Sequence, residues 1–332
     1  MVITIDGPGG VGKSTVARRV AEALDLPHLE TGSTYRAAAL AALRAGGDPD
    51  IQQDVLEALD AATLSFDTGT VYLDGEDVTT AIRTPEVTAA SSAVAVHAQV
   101  RERIVDLQRS WLWDRGDSGV VDGRDIGTVV FPDAEVKVYL TATPEVRATR
   151  RANDAEAAGM DVAAIAAELA ARDHADSTRK VSPLHPAADA VLIDTGDLSA
   201  DQVTDLVLRH VTEARALALS SLLAGHSPRV IAATQILRAV VRSGLPLATE
   251  KVNSGWHGLG YHHPDAGYVA GIFPKDESVK LGFEHGVELP DPEALLDGDG
   301  RQMRYVVIDD WDEVLRDPIT DLLEAAVEYG SR

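Results

Sequence analysis

A glycine-rich stretch near the N-terminus constrains the fold more than any other feature of the chain. Residues 7–14 read Gly-Pro-Gly-Gly-Val-Gly-Lys-Ser and fit the pattern G-x-x-x-x-G-K-[ST]. The stretch follows an apolar run, Val2 to Ile5, that is typical of a strand, and it precedes residues with helical periodicity. A strand, a glycine-rich turn and a helix in this order predict an α/β sheet with a phosphate-binding loop at the end of one strand.

The chemistry expected of this loop follows from its backbone. Glycines allow N–H groups to turn inward around phosphate oxygens, and the following helix directs its positive N-terminal end toward the same anion. We expect Lys13 to reach the β and γ phosphates and to act in catalysis, and Ser14 to give Mg²⁺ a direct hydroxyl ligand. The cofactors predicted are therefore ATP and Mg²⁺. The predicted ATP-binding residues are Gly7, Pro8, Gly9, Gly10, Val11, Gly12, Lys13, Ser14 and Thr15.

Strand-like and helix-like segments alternate through the first part of the chain. Alanine-rich segments with helical spacing separate the apolar runs, which predicts a parallel sheet covered by helices on both faces. Residues 65–78, with Gly69 and Gly75 at turns, predict a small antiparallel insertion. A last helix over 201–223 ends where Gly225 and Pro228 break its pattern, so we place a domain boundary between residues 224 and 225. The predicted strands are 2–5, 27–30, 119–121, 136–140 and 190–193.

Length and composition exclude several classes of protein. A chain of 332 residues is long enough for two domains, 1–224 and 225–332. It contains no cysteine, no apolar run of membrane-spanning length and no basic, apolar leader, so we expect a cytoplasmic protein. With 53 acidic and 30 basic residues the net charge is −23, which argues against nucleic acid or a membrane as partner. We expect a monomer.

Three polar clusters bear on the phosphate acceptor. They read TGSTYR from Thr31, DGRD from Asp122 and RDHADSTRK from Arg172. Two of the three follow the carboxyl ends of predicted parallel strands, where open α/β sheets bind ligands. Together with IDGPGGVGKST, LDGEDVTTAIRTPEV and VVDGRDIGTVVFPDA, in this order, they make residues 1–220 resemble bacterial cytidylate kinases. The resemblance implies a five-stranded P-loop NTPase-type fold with a nucleoside monophosphate-binding insertion at 65–103 and a lid at 147–180.

The same resemblance implies roles for individual residues. CMP and dCMP are the implied acceptors, Asp122 is implied to orient Mg²⁺ through water, and Lys13, Arg124, Arg172 and Arg179 are implied to be catalytic. Arg147, Arg150 and Arg151 recur at helical spacing, and one functional arginine or three remain equally open. The implied acceptor-binding residues are Thr31, Tyr35, Arg36, Ser92, Arg101, Gly123, Arg124, Asp125, Asp176 and Arg179.

These assignments are chemically coherent. A phosphate monoester has a second pKa near 6, so the attacking oxygen of a nucleoside monophosphate is largely ionised at pH 7 and needs no general base. Arginines then have to align two anions and stabilise the transferred phosphoryl group. Two alternatives remain open: a kinase of the same fold acting on UMP, AMP or a metabolite alcohol, and a nucleotide-responsive regulatory protein whose second domain is the effector.

The C-terminal part of the chain follows another pattern. A helix over 230–242, an irregular segment rich in Gly, His and Trp, strands at 267–273, 279–283 and 304–308 and a terminal helix predict a small α+β domain. Segments such as TEKVNSGWHGLGYHHP resemble YdhG-like domains, whose fold is related to that of frataxin; this resemblance implies no activity. His257, His262 and His263 lack a clean ligand spacing, so turn histidines are favoured over a metal site. Trp256, Tyr261, Tyr268 and Phe273 are typical of a core but would also suit a ligand groove.

Overall fold

A computed structural model describes residues 1–153, 161–253, 255–308 and 316–332. The chain divides into two compact units, Met1–Val211 and Thr212–Arg332. This division falls inside a helix, Ala200–Leu223, and the boundary between residues 224 and 225 stays a prediction. None of the helices in the described ranges is long and apolar enough to cross a membrane.

The first unit is built on a parallel sheet flanked by helices, which confirms the predicted fold class. The helices of this unit are α1 Lys13–Leu24, α2 Thr31–Arg44, α3 Gln52–Ala61, α4 Pro85–Val94, α5 Ala98–Trp113, α6 Pro144–Ala152, α7 Val162–Thr178 and the first part of α8 Ala200–Leu223. The strands are β1 Val2–Asp6, β2 His28–Glu30, β3 Leu64–Asp67, β4 Thr70–Leu73, β5 Glu76–Asp77, β6 Gly119–Gly123, β7 Val136–Thr141 and β8 Val191–Asp194. The five parallel strands lie in the order β2-β6-β1-β7-β8.

The register of this sheet decides where the functional loops meet. Asp6, the last residue of β1, lies opposite Gly123 of β6 and Tyr139 of β7. Glu30 at the end of β2 lies opposite Asp122. Because parallel strands all end at the same edge of a sheet, the glycine-rich loop, the residues after β2 and those after β6 are brought to one side.

The strands and α1 follow the pattern of burial that such a sheet requires. All five residues of β1 are buried, as expected of a central strand covered on both faces. Helix α1 buries Val16, Ala17, Val20 and Ala21, which recur at the helical period and form its single apolar stripe. The predicted insertion is a separate antiparallel sheet, β3-β4-β5, whose turns contain Gly69 and Gly75 at positive φ.

The described part of the second unit contains an antiparallel sheet and two α-helices besides the C-terminal part of α8. Its elements are α9 Pro228–Gly244, β9 Thr249–Asn253, β10 Gly258–His263, β11 Gly267–Pro274, β12 Val279–Phe283, β13 Leu296–Asp297, β14 Arg304–Ile308 and α10 Arg316–Gly330. The strand order is β13-β14-β12-β11-β10-β9. The small α+β domain is therefore confirmed, but the expectation of an irregular segment before residue 267 was wrong, since β9 and β10 lie there. Because Gly258 and Gly260 have no side chains, the alternation of apolar and polar residues that is typical of a strand is not visible in this segment.

Candidate active site

The glycine-rich loop owes its shape to backbone conformations that favour glycine. Gly7, Gly10 and Gly12 have φ of 150°, 77° and 92°. A Cβ at Gly7 would lie 2.3 Å from the carbonyl oxygen of Leu140, which belongs to the neighbouring strand β7 and cannot move aside. The loop therefore lies directly against the sheet and leads into α1, where the N–H of Val16 donates to Gly12 O at 3.1 Å.

Lys13 is held over this loop. Its Nζ donates to the carbonyl oxygen of Pro8 at 2.8 Å. Burial, with a smaller contribution from the positive charge of Arg124, lowers the pKa of Lys13 to about 7. A polyanion beside Nζ would favour the protonated amine again, so this lysine suits a phosphate-binding position.

Asp122 connects the loop to the strands at its side. Its Oδ2 accepts a hydrogen bond from Ser14 Oγ at 2.8 Å, and its Oδ1 lies 2.7 Å from His28 Nε2. Asp122 and His28 are both buried. A hydroxyl and a carboxylate are hard oxygen donors of the kind that Mg²⁺ prefers, so Ser14 and Asp122 together fit the predicted ion. Sequence reasoning missed His28, whose only signal is a polar residue in a short buried strand.

A second buried carboxylate, Asp6, shapes the turn that follows β6. Asp6 Oδ1 accepts from the N–H of Ile126 at 2.9 Å and Oδ2 from the N–H of Gly127 at 2.8 Å. Desolvation raises the pKa of Asp6 to about 6, against the opposing effect of these two hydrogen bonds. The pair of contacts fixes the segment that carries Arg124 and Asp125. Asp6 was also missed, because an aspartate before a glycine-rich loop has the ordinary appearance of a turn residue.

Arg124 and Arg147 approach the loop from different elements. Arg124 Nη1 donates to Gly7 O at 2.9 Å, and its Nε lies 3.0 Å from Asp176 Oδ2 on α7. Arg147 of α6 donates to Gly9 O at 3.2 Å and is buried. Arg150 is bound to carbonyl groups such as Thr195 O, and Arg151 is an electrostatic neighbour of Arg172. Whether one or three of these arginines act stays a prediction.

The predicted lid residues Asp176 and Arg179 join the residues after β6. Arg179 Nη1 lies 3.4 Å from Asp176 Oδ1, and its Nη2 lies 3.7 Å from Asp125 Oδ1. Arg172 is an electrostatic neighbour of both Asp176 and Arg36, and burial lowers its pKa. The lid residues Arg172, Asp176 and Arg179 therefore lie in one charged region with Asp125, and Arg36 interacts with that region through Arg172.

Arg101 and Asp125, two of the predicted acceptor-binding residues, form a buried pair. The guanidinium group of Arg101 makes a close ion pair with Asp125, donates to Ala95 O at 3.2 Å and lies 5.3 Å from the centre of the Tyr35 ring. Burial raises the pKa of Tyr35 to about 12. Arg101 Nε and Arg179 Nη2 are buried without a hydrogen-bond partner among the described residues, although Arg179 Nη2 pairs electrostatically with Asp125.

Thr31 and Ser92, two further predicted acceptor-binding residues, differ in their surroundings. Thr31 Oγ1 donates to the backbone oxygen of Asp122 at 2.7 Å, and a Cβ at Gly123 would lie 2.4 Å from that same Oγ1. Gly123 therefore permits the close approach of Thr31 to β6. Ser92 is exposed on α4, whereas its neighbour Ser91 is buried and donates to Thr88 O. No contact described in the structure joins Ser92 to the other acceptor residues, so its role stays a prediction.

The histidines and aromatic residues described in the second unit make separate local contacts. In the described parts of the chain, no group of three His, Cys, Asp or Glu side chains is placed to hold a metal ion. His257 Nε2 lies 2.8 Å from His226 Nε2. Tyr261 is buried in the core, whereas Trp256 contacts Tyr268 and Phe273 on the face that carries Gly260 and Gly271. These rings cover glycines of the sheet.

Comparison with known proteins adds an independent observation on the first unit. The sequence profile of the cytidylate kinase family matches residues 3–213. A cytidylate kinase of Mycobacterium avium (strain 104) is 50% identical over 211 residues, which are 62% of this chain and 92% of the relative. Cytidylate kinases of Rhodococcus jostii (strain RHA1) and Pelotomaculum thermopropionicum (strain DSM 13744 / JCM 10971 / SI) are 49% and 45% identical, over 64% of this chain and 95% and 96% of theirs.

Proposed function

The chain belongs to the cytidylate kinase family, and we propose that it transfers the γ-phosphoryl group of ATP to CMP and dCMP, releasing ADP and CDP or dCDP. One observation supports this activity above the others. The phosphate loop and a set of arginines from separate parts of the chain meet at the carboxyl edge of one parallel sheet. The phosphates of ATP and of the acceptor repel each other, so cationic side chains have to converge on both to align them for the reaction.

The chain's own residues would do two kinds of work in this reaction. The acceptor phosphate is already an anionic nucleophile at pH 7, so no residue has to remove a proton from it. Lys13, Arg124, Arg172 and Arg179 would bring the two phosphates together and stabilise the negative charge that spreads over the transferred group. Ser14 would hold Mg²⁺ directly and Asp122 through water, and the bound ion would neutralise charge on the β and γ phosphates.

The acceptor side of the proposal rests on the residues around Asp125. Arg101 and Asp125 present a donor and an acceptor side by side, which suits the polar edge of cytosine. Arg36 and Arg179 would bind the acceptor phosphate, and Asp176 would bind the sugar hydroxyls. Thr31, Tyr35 and Gly123 would adjoin the acceptor, and Ser92 belongs to the proposed set because the family resemblance implies it.

Turnover of the full chain with four acceptors tests the proposal. ADP release would be measured with CMP, dCMP, UMP and AMP in the presence of ATP and Mg²⁺. We expect CMP and dCMP to be preferred over AMP and UMP in kcat/KM, and Lys13→Ala to abolish turnover while CMP binding falls modestly. A preference for UMP or AMP would favour the alternative of a kinase of the same fold that acts on one of those acceptors. Binding of ATP and CMP without turnover would favour a regulatory protein.

For the second unit we propose only a fold relationship. Its antiparallel sheet with helices α9 and α10 is compatible with the YdhG-like resemblance of the sequence. That resemblance implies no activity, so no reaction is proposed for residues 212–332.

A further inference from the structure

Asp173 of α7 contacts the phosphate loop and belongs to none of the roles assigned above. Its Oδ1 accepts a hydrogen bond from the N–H of Gly9 at 3.3 Å. Its Oδ2 makes a close ion pair with Arg147, which itself donates to Gly9 O at 3.2 Å. Arg124 Nη1 lies 4.0 Å from Asp173 Oδ1. One carboxylate therefore engages a loop N–H and two guanidinium groups.

These partners are the groups that a bound triphosphate would need. Gly9 lies in the middle of the phosphate-binding stretch, where backbone N–H groups serve as anion donors. Arginine and a carboxylate or phosphate oxygen pair by the same charge-assisted geometry. Since a single N–H cannot serve both anions at full strength, the Asp173 carboxylate and a phosphate oxygen compete for it.

The position of Asp173 within the site excludes a simple surface role. Its side chain is 19% exposed, and that of Arg147 is 9% exposed. Surface ion pairs contribute little because water screens them, but this pair is largely shielded and is anchored to backbone on both sides. Helix α7 also carries Arg172 and Asp176, so the competing carboxylate moves with the predicted lid.

We propose that Asp173 sets the nucleotide affinity of the site by competing with the triphosphate for Gly9 N–H, Arg147 and Arg124. This inference rests on the proposed function. Binding of ATP exchanges one anion for another at these groups, and release of ADP is assisted by the return of the carboxylate. Asp173 thus lowers affinity for both nucleotides while it keeps the arginines beside the loop.

Asp173→Asn in the full chain tests this competition. The amide has the shape of the carboxylate but no charge, so ATP and ADP are expected to bind about tenfold more tightly, the scale of one charge-assisted hydrogen bond. Tripolyphosphate should gain a similar factor, because the effect lies at the phosphates. The dissociation constant of CMP should change less than twofold. Titration calorimetry with Mg²⁺ present measures all four.

Asp161→Asn is the matched control. Asp161 precedes the first turn of the same helix, is exposed, and loses the same unit of charge, so its effect on ATP affinity should stay below twofold. Asp173→Ser, a second uncharged variant, should repeat the gain of Asp173→Asn. Because damage to the fold weakens binding, a gain in affinity cannot come from misfolding.

Unchanged or weaker ATP binding in both Asp173 variants would overturn the inference, as would an equal gain in Asp161→Asn. The proposed function fails separately. A wild-type chain that binds ATP but phosphorylates no nucleoside monophosphate would end that proposal, while the competition at Gly9 would still be decided by ATP binding alone.

Discussion

Asp122→Asn is expected to damage Mg²⁺-dependent turnover while leaving the fold intact. Asp122 Oδ2 accepts from Ser14 Oγ at 2.8 Å, and Oδ1 lies 2.7 Å from His28 Nε2. An asparagine could keep both contacts, because its amide oxygen can face His28 and its NH₂ can donate to Ser14 Oγ, a hydroxyl that also accepts. The variant therefore removes the charge and little else.

The size of the effect follows from what the lost charge does. Hydrogen bonds to charged groups contribute about 1.5–3 kcal/mol. In the variant the water-mediated contact to Mg²⁺ is no longer charge-assisted, and Ser14 Oγ is engaged by an NH₂ donor. If one such contribution is absent from the transition state, kcat/KM falls by roughly 10- to 150-fold. Because the asparagine can keep both hydrogen bonds, no buried polar group loses its partner, and the unfolding temperature should fall little.

Initial rates measured over a range of Mg²⁺ concentrations, with CMP and ATP, check this expectation. Besides the loss in kcat/KM, the Mg²⁺ concentration for half-maximal rate should rise. Asp133→Asn is the control, because Asp133 is an exposed carboxylate of the same unit. An Asp122→Asn enzyme with the rate and Mg²⁺ dependence of the wild type would refute the reasoning.

Three further predictions concern the loop. Arg124→Ala loses the 2.9 Å contact to Gly7 O and the 3.0 Å contact to Asp176, a proposed acceptor-binding residue. Because ATP keeps Lys13 and the loop N–H groups, KM for CMP should rise more than KM for ATP in steady-state kinetics; normal acceptor kinetics would remove Arg124 from the site. Gly7→Ala should cost about 2–6 kcal/mol of stability from backbone strain and from the clash with Leu140 O. Gly46→Ala, with φ of 77° and open space around it, should lose only the strain, and equal drops in unfolding temperature would contradict the clash. Since the pKa of Lys13 is lowered to about 7, ATP binding above pH 7 should take up a proton, and the association constant should fall by up to about tenfold per pH unit from 7 to 9. Calorimetry in buffers of different ionisation enthalpy measures this uptake; Lys13→Arg should abolish it, and pH-independent affinity in the wild type would count against it.

The parts of the molecule predicted most fully are those governed by local physical chemistry. The glycines of residues 7–14 require backbone conformations that few other residues adopt, and their motif is short and contiguous. The strands β1 and β6 are buried along their whole length because both faces of the sheet are covered there. In contrast, β9 and β10 of the second unit were missed, since Gly258 and Gly260 have no side chain and rings from other positions cover them.

By itself the sequence determined the phosphate loop, the parallel sheet and the family to which the first unit belongs, since each is written in contiguous residues or in the order of motifs. Only the tertiary structure decided that Asp173 and Arg147 both contact the backbone of Gly9, and that His28 and Ser14 both contact the carboxylate of Asp122. These pairs are separated by many residues along the chain and have no spacing of their own. Their contacts depend on the register of β2, β6 and β1 and on the packing of α6 and α7, which no local pattern of residues encodes.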